Sequence, residues 1–258
     1  MTEPIAKTVK PPRPATARSA GKPASGARKL VRAAQTLGDA AGGAEIAGPV
    51  DNVPRGRRAK AGEARRATIL KAALAVFVRQ GPDGASVEAI AQAAGVSKAN
   101  LLYYHPSKDA LYVAVLEQGL SAWLAPLARF TAEEDPADAI AALVEAKLAM
   151  SRDHPEVSRL FALEMLRGAP LLRPVLAGPL KAVFDAKVAV IGQWVEAGRL
   201  GPVDPPHLIF AIWAITQHYA DFAVQVRALT GKALSDKAFM DETMAAVTAL
   251  VLDGVRPR

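Results

Sequence analysis

The residues best placed to do chemistry lie between Val87 and Tyr104, where two short helical patterns meet at a tight turn. Ala91 is small where two helices would approach closely, and Gly95 stands where such a turn needs a positive φ. Ser97 can cap the second helix, whose first amides would then point at an anion such as a phosphate. The residues predicted to form the buried wedge between the helices are Ile90, Val96 and Leu101. This pattern is typical of a helix-turn-helix, whose second helix enters the major groove of DNA. An ordinary helical hairpin is the alternative.

Catalytic and metal-binding patterns are missing from the sequence. Four histidines, at positions 105, 154, 207 and 218, show no spacing typical of metal ligands. No phosphate-binding loop or nucleophile elbow occurs, and the absence of cysteine excludes disulfides and thiolate metal sites. We therefore predict that the protein is not an enzyme and holds neither a metal nor a cofactor.

The elements that must position the helix-turn-helix are themselves helices. Ala and Leu, which are strong helix formers, recur with helical spacing from Glu63 onward. Gly81 and Pro82 are predicted to end the first helix, and one uninterrupted helix is predicted from His207 to Leu229. The sequence predicts an all-α fold of about nine helices, with a three-helix domain over 63–106 and a larger helical domain over 107–258.

Residues 1–62 differ from the rest of the chain. They contain no aromatic residue and carry twelve Lys or Arg against four Asp or Glu, a net charge of +8. The remaining residues carry 20 basic and 21 acidic side chains, so the body of the protein is nearly neutral. We predict a disordered basic tail, which can add sequence-independent attraction to phosphates.

The stretch from Ala67 to Leu116 resembles the DNA-binding domain of TetR-family transcription regulators. The positions that meet the family pattern are Ile90-Ala91, Ala94-Gly95-Val96-Ser97, Leu101, Tyr103-Tyr104, Ser107-Lys108 and Leu111. Within the family, the chain is most similar to regulators of pyrimidine utilisation over about residues 63–258. The segments that carry this similarity are Asn100–Tyr104, Pro106–Lys108, Trp123–Leu127, Gly168–Leu172, His207–Phe210, Trp213, Thr216–Phe222 and Gly254–Arg258.

The resemblance and the motif together suggest which residues contact DNA. The predicted DNA-binding residues are Ser97, Lys98, Asn100, Tyr103, Tyr104, Lys108, Arg65 and Arg66. Lys98 and Lys108 are expected on backbone phosphates, whereas Asn100 could pair with an adenine edge or bind a phosphate. Arg65 and Arg66 either reach a phosphate or minor groove, or form a solvated helix end.

Two positions depart from the family pattern. Ala99 stands where many members have Gly, and His105 stands where they usually have Phe. We expect His105 to fill the seam between the second helix of the motif and the following helix. A pH-dependent or phosphate-contacting role is the alternative.

A ligand pocket inside the larger domain is implied by the resemblance. Trp213, Gln217 and Asp221 fall on one helix face at i, i+4 and i+8, and Trp123 could form a second aromatic wall. This set suits uracil or thymine, because a Gln amide can donate to a ring carbonyl and accept from N3–H. Alternatively, the tryptophans are core residues, and Gln217 and Asp221 are polar groups at a dimer interface.

These observations predict a cytoplasmic, ligand-responsive DNA-binding regulator of pyrimidine metabolism. The ligand would weaken binding to a palindromic double-stranded operator by a homodimer paired through its last two helices. No apolar run approaches the roughly 20 residues that span a membrane. The alternatives are a TetR-type repressor for a different small molecule and a nucleoid protein indifferent to sequence.

Overall fold

The computed structural model describes residues 53–257, with side chains from residue 61, and within this range the chain is helical without a strand. In chain order the helices are α1 (Val53–Gly84), α2 (Val87–Ala93), α3 (Lys98–Tyr104), α4 (Lys108–Arg129), α5 (Pro136–Asp153), α6 (Pro155–Leu166), α7 (Arg173–Val175), α8 (Lys181–Glu196), α9 (Pro205–Asp221), α10 (Ala223–Thr230) and α11 (Lys237–Gly254). A π-helical turn, Leu176–Leu180, joins α7 to α8. The all-α prediction is confirmed.

Helix boundaries differ from the sequence prediction in three places. Helix α1 begins at Val53, so ten residues assigned to the basic tail are helical, while residues 1–52 lie outside the described part. The helix predicted over 207–229 begins at Pro205, because Asp204 accepts the amide of His207 at 3.1 Å. It also breaks at Phe222, whose φ of −112° and ψ of 30° leave the helical region. This break and the single-turn α7 raise the helix count above nine.

Local capping chemistry sets several of the remaining boundaries, among them the Ser97 cap that the sequence predicts. The hydroxyls of Ser86, Ser97 and Ser107 each accept the amide three residues ahead, at 3.0–3.1 Å. Gly81 has φ 72° and interrupts α1, while Gly95 has φ 64° in the turn between α2 and α3. These side chains and turns fix the direction in which α3 leaves the small domain.

The small domain of α1–α3 closes around a fully buried apolar core. Ile69, Phe77, Ile90 and Leu101 are at most 1% exposed, whereas Val96 is only partly buried. The predicted wedge therefore forms mainly from Ile90 and Leu101. Burial of this kind contributes roughly 1.5–3 kcal/mol per large apolar side chain, so it holds α3 firmly against α2.

Helix α4 connects the small domain to the larger helical body. It packs against α1 at one end and against α5, α6 and α8 further along. Within residues 53–257, α4 is the one helix that is long and apolar enough to cross a membrane, with a mean hydropathy of 1.3. Many of its apolar side chains are instead buried in the core of the helical bundle. In the larger domain, α5 lies between α9 and α11, so the centre of the body is bounded by α4, α5, α6 and α9.

Candidate DNA-reading face and effector site

Helix α3 presents its polar side chains to solvent. Ser97, Lys98 and Asn100 are exposed, and Tyr103 is 83% exposed although its ring is largely apolar. The Ser97 hydroxyl accepts the Asn100 amide at 3.1 Å, which orders the first turn. An ordered helix with an uncovered aromatic residue and amides at its start is suited to a partner surface that carries both anions and flat rings.

Lys98 is engaged in a weak contact that a phosphate could replace. Its ammonium pairs with Glu88 on α2 at 2.5 Å, and both side chains are more than half exposed. The hydrogen bond from Lys98 lowers the pKa of Glu88. Exposed pairs of this kind contribute little to stability, so Lys98 can exchange Glu88 for a phosphate at small cost.

Tyr104 links the end of α3 to the middle of α1. Its ring packs edge-on against Tyr103, with ring centres 5.3 Å apart, and the Arg66 guanidinium lies 5.9 Å above it. Arg65 is exposed, whereas Arg66 is half-buried. The structure thus brings Arg66 to the predicted DNA-contacting helix and leaves Arg65 in solvent.

Lys108 is occupied within the chain. Its ammonium donates to the carbonyl of Asp83 at 3.3 Å, which ties the start of α4 to the end of α1. The phosphate contact that the sequence predicts for Lys108 would require its ammonium to give up the hydrogen bond to Asp83.

His105 is buried in the seam predicted for it. It is 6% exposed, and its Nε2 has no hydrogen-bond partner among the described residues. Burial, followed by the positive charge of Arg66, lowers the pKa of His105. A side chain enclosed in this way is a neutral core histidine at neutral pH, which favours the seam over a phosphate contact.

Two of the four predicted ligand residues contact side chains of α5 and α6 in the larger domain. Trp123 on α4 is 6% exposed and packs edge-on against Phe161 at 5.4 Å. The carboxylate of Asp221 on α9 accepts a hydrogen bond from Ser158 of α6 at 2.5 Å. Lys147 of α5 has its ammonium 5.1 Å from the centre of the Trp123 ring. Burial lowers the pKa of Lys147, and the negative charge of Asp221 acts in the opposite direction.

The other two predicted ligand residues lie further along α9. Trp213 is half-buried in an aromatic cluster, with Phe210 and Phe184 at 5.9 Å and 6.1 Å between ring centres. Gln217 is half-buried one turn away, between Trp213 and Asp221. All three share one face of α9 as predicted, although no aromatic contact joins Trp213 to Trp123 in the described part of the chain.

Sequence analysis missed Lys147, Ser158 and Phe161 as members of this cluster. A signal for Lys147 was present, because Ile140, Leu143, Lys147 and Ser151 fall on the buried face of α5. A lysine on an apolar stripe is unusual, since lysine is almost never fully buried unless paired. Ser151 also binds across helices and donates to the carbonyl of Thr216 at 2.9 Å.

Two open grooves lie on the surface away from this cluster. One, of about 350 Å³, is bordered by α9, α10 and α11 and contains Tyr219 and Phe239. The other, of about 600 Å³, runs between α5 and α11 along small residues such as Ala141 and Ala245. Neither groove is lined by the predicted ligand residues.

Comparison with known protein families accounts for nearly all of the described chain. Residues 69–115 match the family model for bacterial regulatory proteins of the tetR family. Residues 116–258 match the family model described as YcdC-like protein, C-terminal region.

Individual relatives and solved structures agree with these matches. The chain is 53% identical over 203 residues to the HTH-type transcriptional regulator RutR of Escherichia coli (strain K12), covering 79% of this chain and 96% of that protein. It is 26% identical over 207 residues to the HTH-type transcriptional repressor NicS of Pseudomonas putida, covering 78% and 97%. A putative transcriptional regulator, SCO4942 from Streptomyces coelicolor, superposes with a TM-score of 0.60 at 26% identity, covering 75% and 99%.

Proposed function

Because the chain belongs to the TetR family of transcriptional regulators, we propose that it regulates pyrimidine utilisation and that uracil or thymine weakens its binding to operator DNA. Its relatives are regulators rather than enzymes. The observation that carries the effector proposal is the cluster of buried Trp123 and Lys147 with half-buried Asp221, where a flat apolar wall meets a donor and an acceptor. A small ring with carbonyl and N–H groups matches such a site.

The mechanism couples this cluster to α3 through α4. Helix α4 starts one turn after α3 ends and carries Trp123 in its last third. If the effector favours one position of α4 and the operator favours another, each ligand weakens binding of the other by the same factor. The effector then releases the operator without touching DNA.

We expect the protein to bind a palindromic operator as a homodimer. Several apolar side chains on α9–α11 are uncovered in the single chain, namely Phe222, Val224, Leu229 and Leu250. Pairing these helices with those of a second copy would bury them in a four-helix arrangement. The two α3 helices would then read half-sites about one turn of double-stranded DNA apart. The site of action would be the cytoplasm.

A gel-shift titration of the full-length protein on DNA upstream of its own gene tests the proposal. We expect specific binding that uracil or thymine weakens at least tenfold, and that Tyr103→Ala removes without changing the melting temperature. Cytosine is the matched control, because it presents an amino group where uracil has a carbonyl. Equal operator affinity with and without uracil and thymine would contradict the proposed effector.

A further inference from the structure

A carboxylate lies on the face of the protein that is expected to contact DNA. Glu88 is the second residue of α2, and its Oε1 atom lies 2.5 Å from the ammonium of Lys98, the first residue of α3. The side chains of Glu88 and Lys98 are 62% and 57% exposed. The hydrogen bond from Lys98 lowers the pKa of Glu88, so the carboxylate is ionised at neutral pH. This face therefore presents a negative charge where phosphates are expected to approach.

The carboxylate needs a new partner when the protein binds DNA. We expect Lys98 to leave Glu88 for a backbone phosphate, because exposed ion pairs contribute little to stability. Phosphates repel a carboxylate, and an ionised group that is taken out of water without a hydrogen-bond donor is unfavourable. The first residues of the second helix of a helix-turn-helix contact base edges in the major groove. Glu88, which contacts the first residue of α3 in the free protein, thus lies close to those edges.

Two kinds of base edge in the major groove offer a donor to a carboxylate. The donors are the N4 amino group of cytosine and the N6 amino group of adenine, whereas guanine N7 and O6 and thymine O4 are acceptors. Adenine also carries its N7 acceptor beside the N6 amino group, so the second oxygen of a carboxylate would be repelled. Cytosine presents the amino group and no acceptor of its own in this groove. A carboxylate is therefore satisfied best by cytosine.

We propose that Glu88 is a base-reading residue that accepts a hydrogen bond from the N4 amino group of a cytosine in each half-site of the operator. This inference rests on the DNA-binding part of the proposed function and adds a specificity-determining residue on α2. The ammonium of Lys98 moves to a phosphate, and the carboxylate that it leaves binds a base. Any other base leaves the carboxylate without its donor among phosphates, so Glu88 also opposes binding to unrelated DNA.

Selection from a pool of randomised DNA duplexes tests the assignment. The full-length wild type and Glu88→Ala each select duplexes from the pool, and the bound sequences are compared. We expect the wild type to prefer cytosine at one position of each half-site by about fivefold or more, since good contacts to base edges discriminate by at least this factor. Glu88→Ala should lose the preference at that position and keep the preferences at all others.

Asp109→Ala is the matched control. Asp109 is an exposed carboxylate at the second position of α4, as Glu88 is at the second position of α2, and a serine hydroxyl caps each helix. Thermal melts should give both variants the same small loss of stability, because each removes a negative charge from the first turn of a helix. We expect Asp109→Ala to select the same sequences as the wild type.

Lys98→Gln separates reading of a base from an effect through the lysine. If Glu88 reads the base, Lys98→Gln should weaken binding to all sequences and keep the cytosine preference. The slope of its log affinity against log salt concentration should be shallower by about 0.9. Glu88→Ala should in turn bind unrelated duplexes several-fold more tightly in gel shifts, because it removes a charge that repels phosphates. If Glu88 only positions Lys98, Glu88→Ala should instead weaken binding to all sequences alike, and the assignment is wrong.

The outcomes of the selection distinguish this inference from the proposed function. If the wild type and Glu88→Ala select the same sequences, or if the base whose preference is lost is not cytosine, the Glu88 assignment is wrong and the proposed regulator stands. If the wild type selects no sequence from the pool, the assignment and the binding of a specific operator are both wrong.

Discussion

At the scale of single residues, the seam between α3 and α4 contains a polar atom that nothing in the described chain satisfies. His105 Nε2 is buried without a hydrogen-bond partner. A neutral ring avoids the cost of a buried charge, but it still carries the smaller cost of a buried polar atom without a hydrogen bond. The family pattern that the sequence resembles has Phe at the position of His105. The histidine therefore costs stability relative to an apolar ring of similar size.

His105→Phe should stabilise the protein by about 1 kcal/mol at neutral pH, because it removes an unsatisfied buried group. The wild type should also lose stability as pH falls below 6.5, the ordinary histidine pKa. The pKa of His105 is lowered in the folded protein, so the unfolded chain takes up the proton at a higher pH and is favoured as the pH falls. Urea unfolding at pH 5.5 and 7.5 measures both effects. His207→Phe, at an exposed position, is the control. Lower stability of His105→Phe would show that the ring does not fit the seam.

The candidate effector site was only half predictable at this scale. Trp213, Gln217 and Asp221 share a helix, so their common face follows from the helical period alone. Lys147, Ser158 and Phe161 reach the same space from α5 and α6, and the pairing of those helices depends on tertiary packing that a single sequence does not specify. The one available signal was the lysine on the apolar stripe of α5.

At the scale of elements, local chemistry predicted the helix ends where a specific side chain makes them. Ser97 caps as predicted, and Ser86, Ser107 and Asp135 cap in the same way, because each accepts amides two or three residues ahead. The break at Phe222 has no such signal, since neither Gly nor Pro stands there. Instead, the Phe222 ring stacks on His218 at 5.0 Å in a bent backbone, an arrangement that sequence patterns do not reveal.

Ser97→Ala should lower stability by about 1 kcal/mol and should weaken operator binding further than this destabilisation explains. The reason is that the hydrogen bond it removes orders the first turn of α3, which carries Lys98 and Asn100. Ser86→Ala is a matched control, because Ser86 caps α2 with the same 3.1 Å hydrogen bond. Thermal melts and gel shifts on both variants separate the effects. Equal operator affinity of the two variants would contradict the role of α3 in binding DNA.

At the scale of the whole molecule, polar contacts of Asp83, near the end of α1, link the small domain to the larger domain. Arg167, just after α6, pairs with the Asp83 carboxylate at 3.0 Å, and Lys108 donates to the Asp83 carbonyl. Helix α6 also carries Ser158 and Phe161 at the candidate effector site. One helix thus contacts both the effector cluster and the small domain.

Arg167→Ala should reduce the factor by which uracil weakens operator binding by several-fold, while uracil affinity of the free protein stays unchanged. The exposed ion pair contributes little to stability, so its removal should act on communication between the sites rather than on folding. Calorimetry and gel shifts with and without uracil measure the two quantities. Arg152→Ala, which breaks an exposed pair with the adjacent Asp153, is the control. An unchanged coupling factor would exclude this ion pair from the pathway.

At the same scale, we expect the basic residues of segment 1–52 to add sequence-independent attraction to DNA. Residues 1–52 carry eight Lys or Arg and four Asp or Glu, so the proposed dimer would bring two such segments to one operator. Deleting residues 1–52 should weaken binding to operator and to unrelated DNA by the same factor, because phosphate contacts carry no sequence information. For every phosphate that the shortened protein no longer neutralises, the slope of log affinity against log salt concentration should become shallower by about 0.9.

Gel shifts from 50 to 300 mM salt measure this slope. The control is a full-length variant in which the eight basic residues of segment 1–52 are changed to Gln, because it removes the charge and keeps the chain length. If that variant binds like the wild type while the deletion does not, the tail acts through its length, and the electrostatic explanation is wrong.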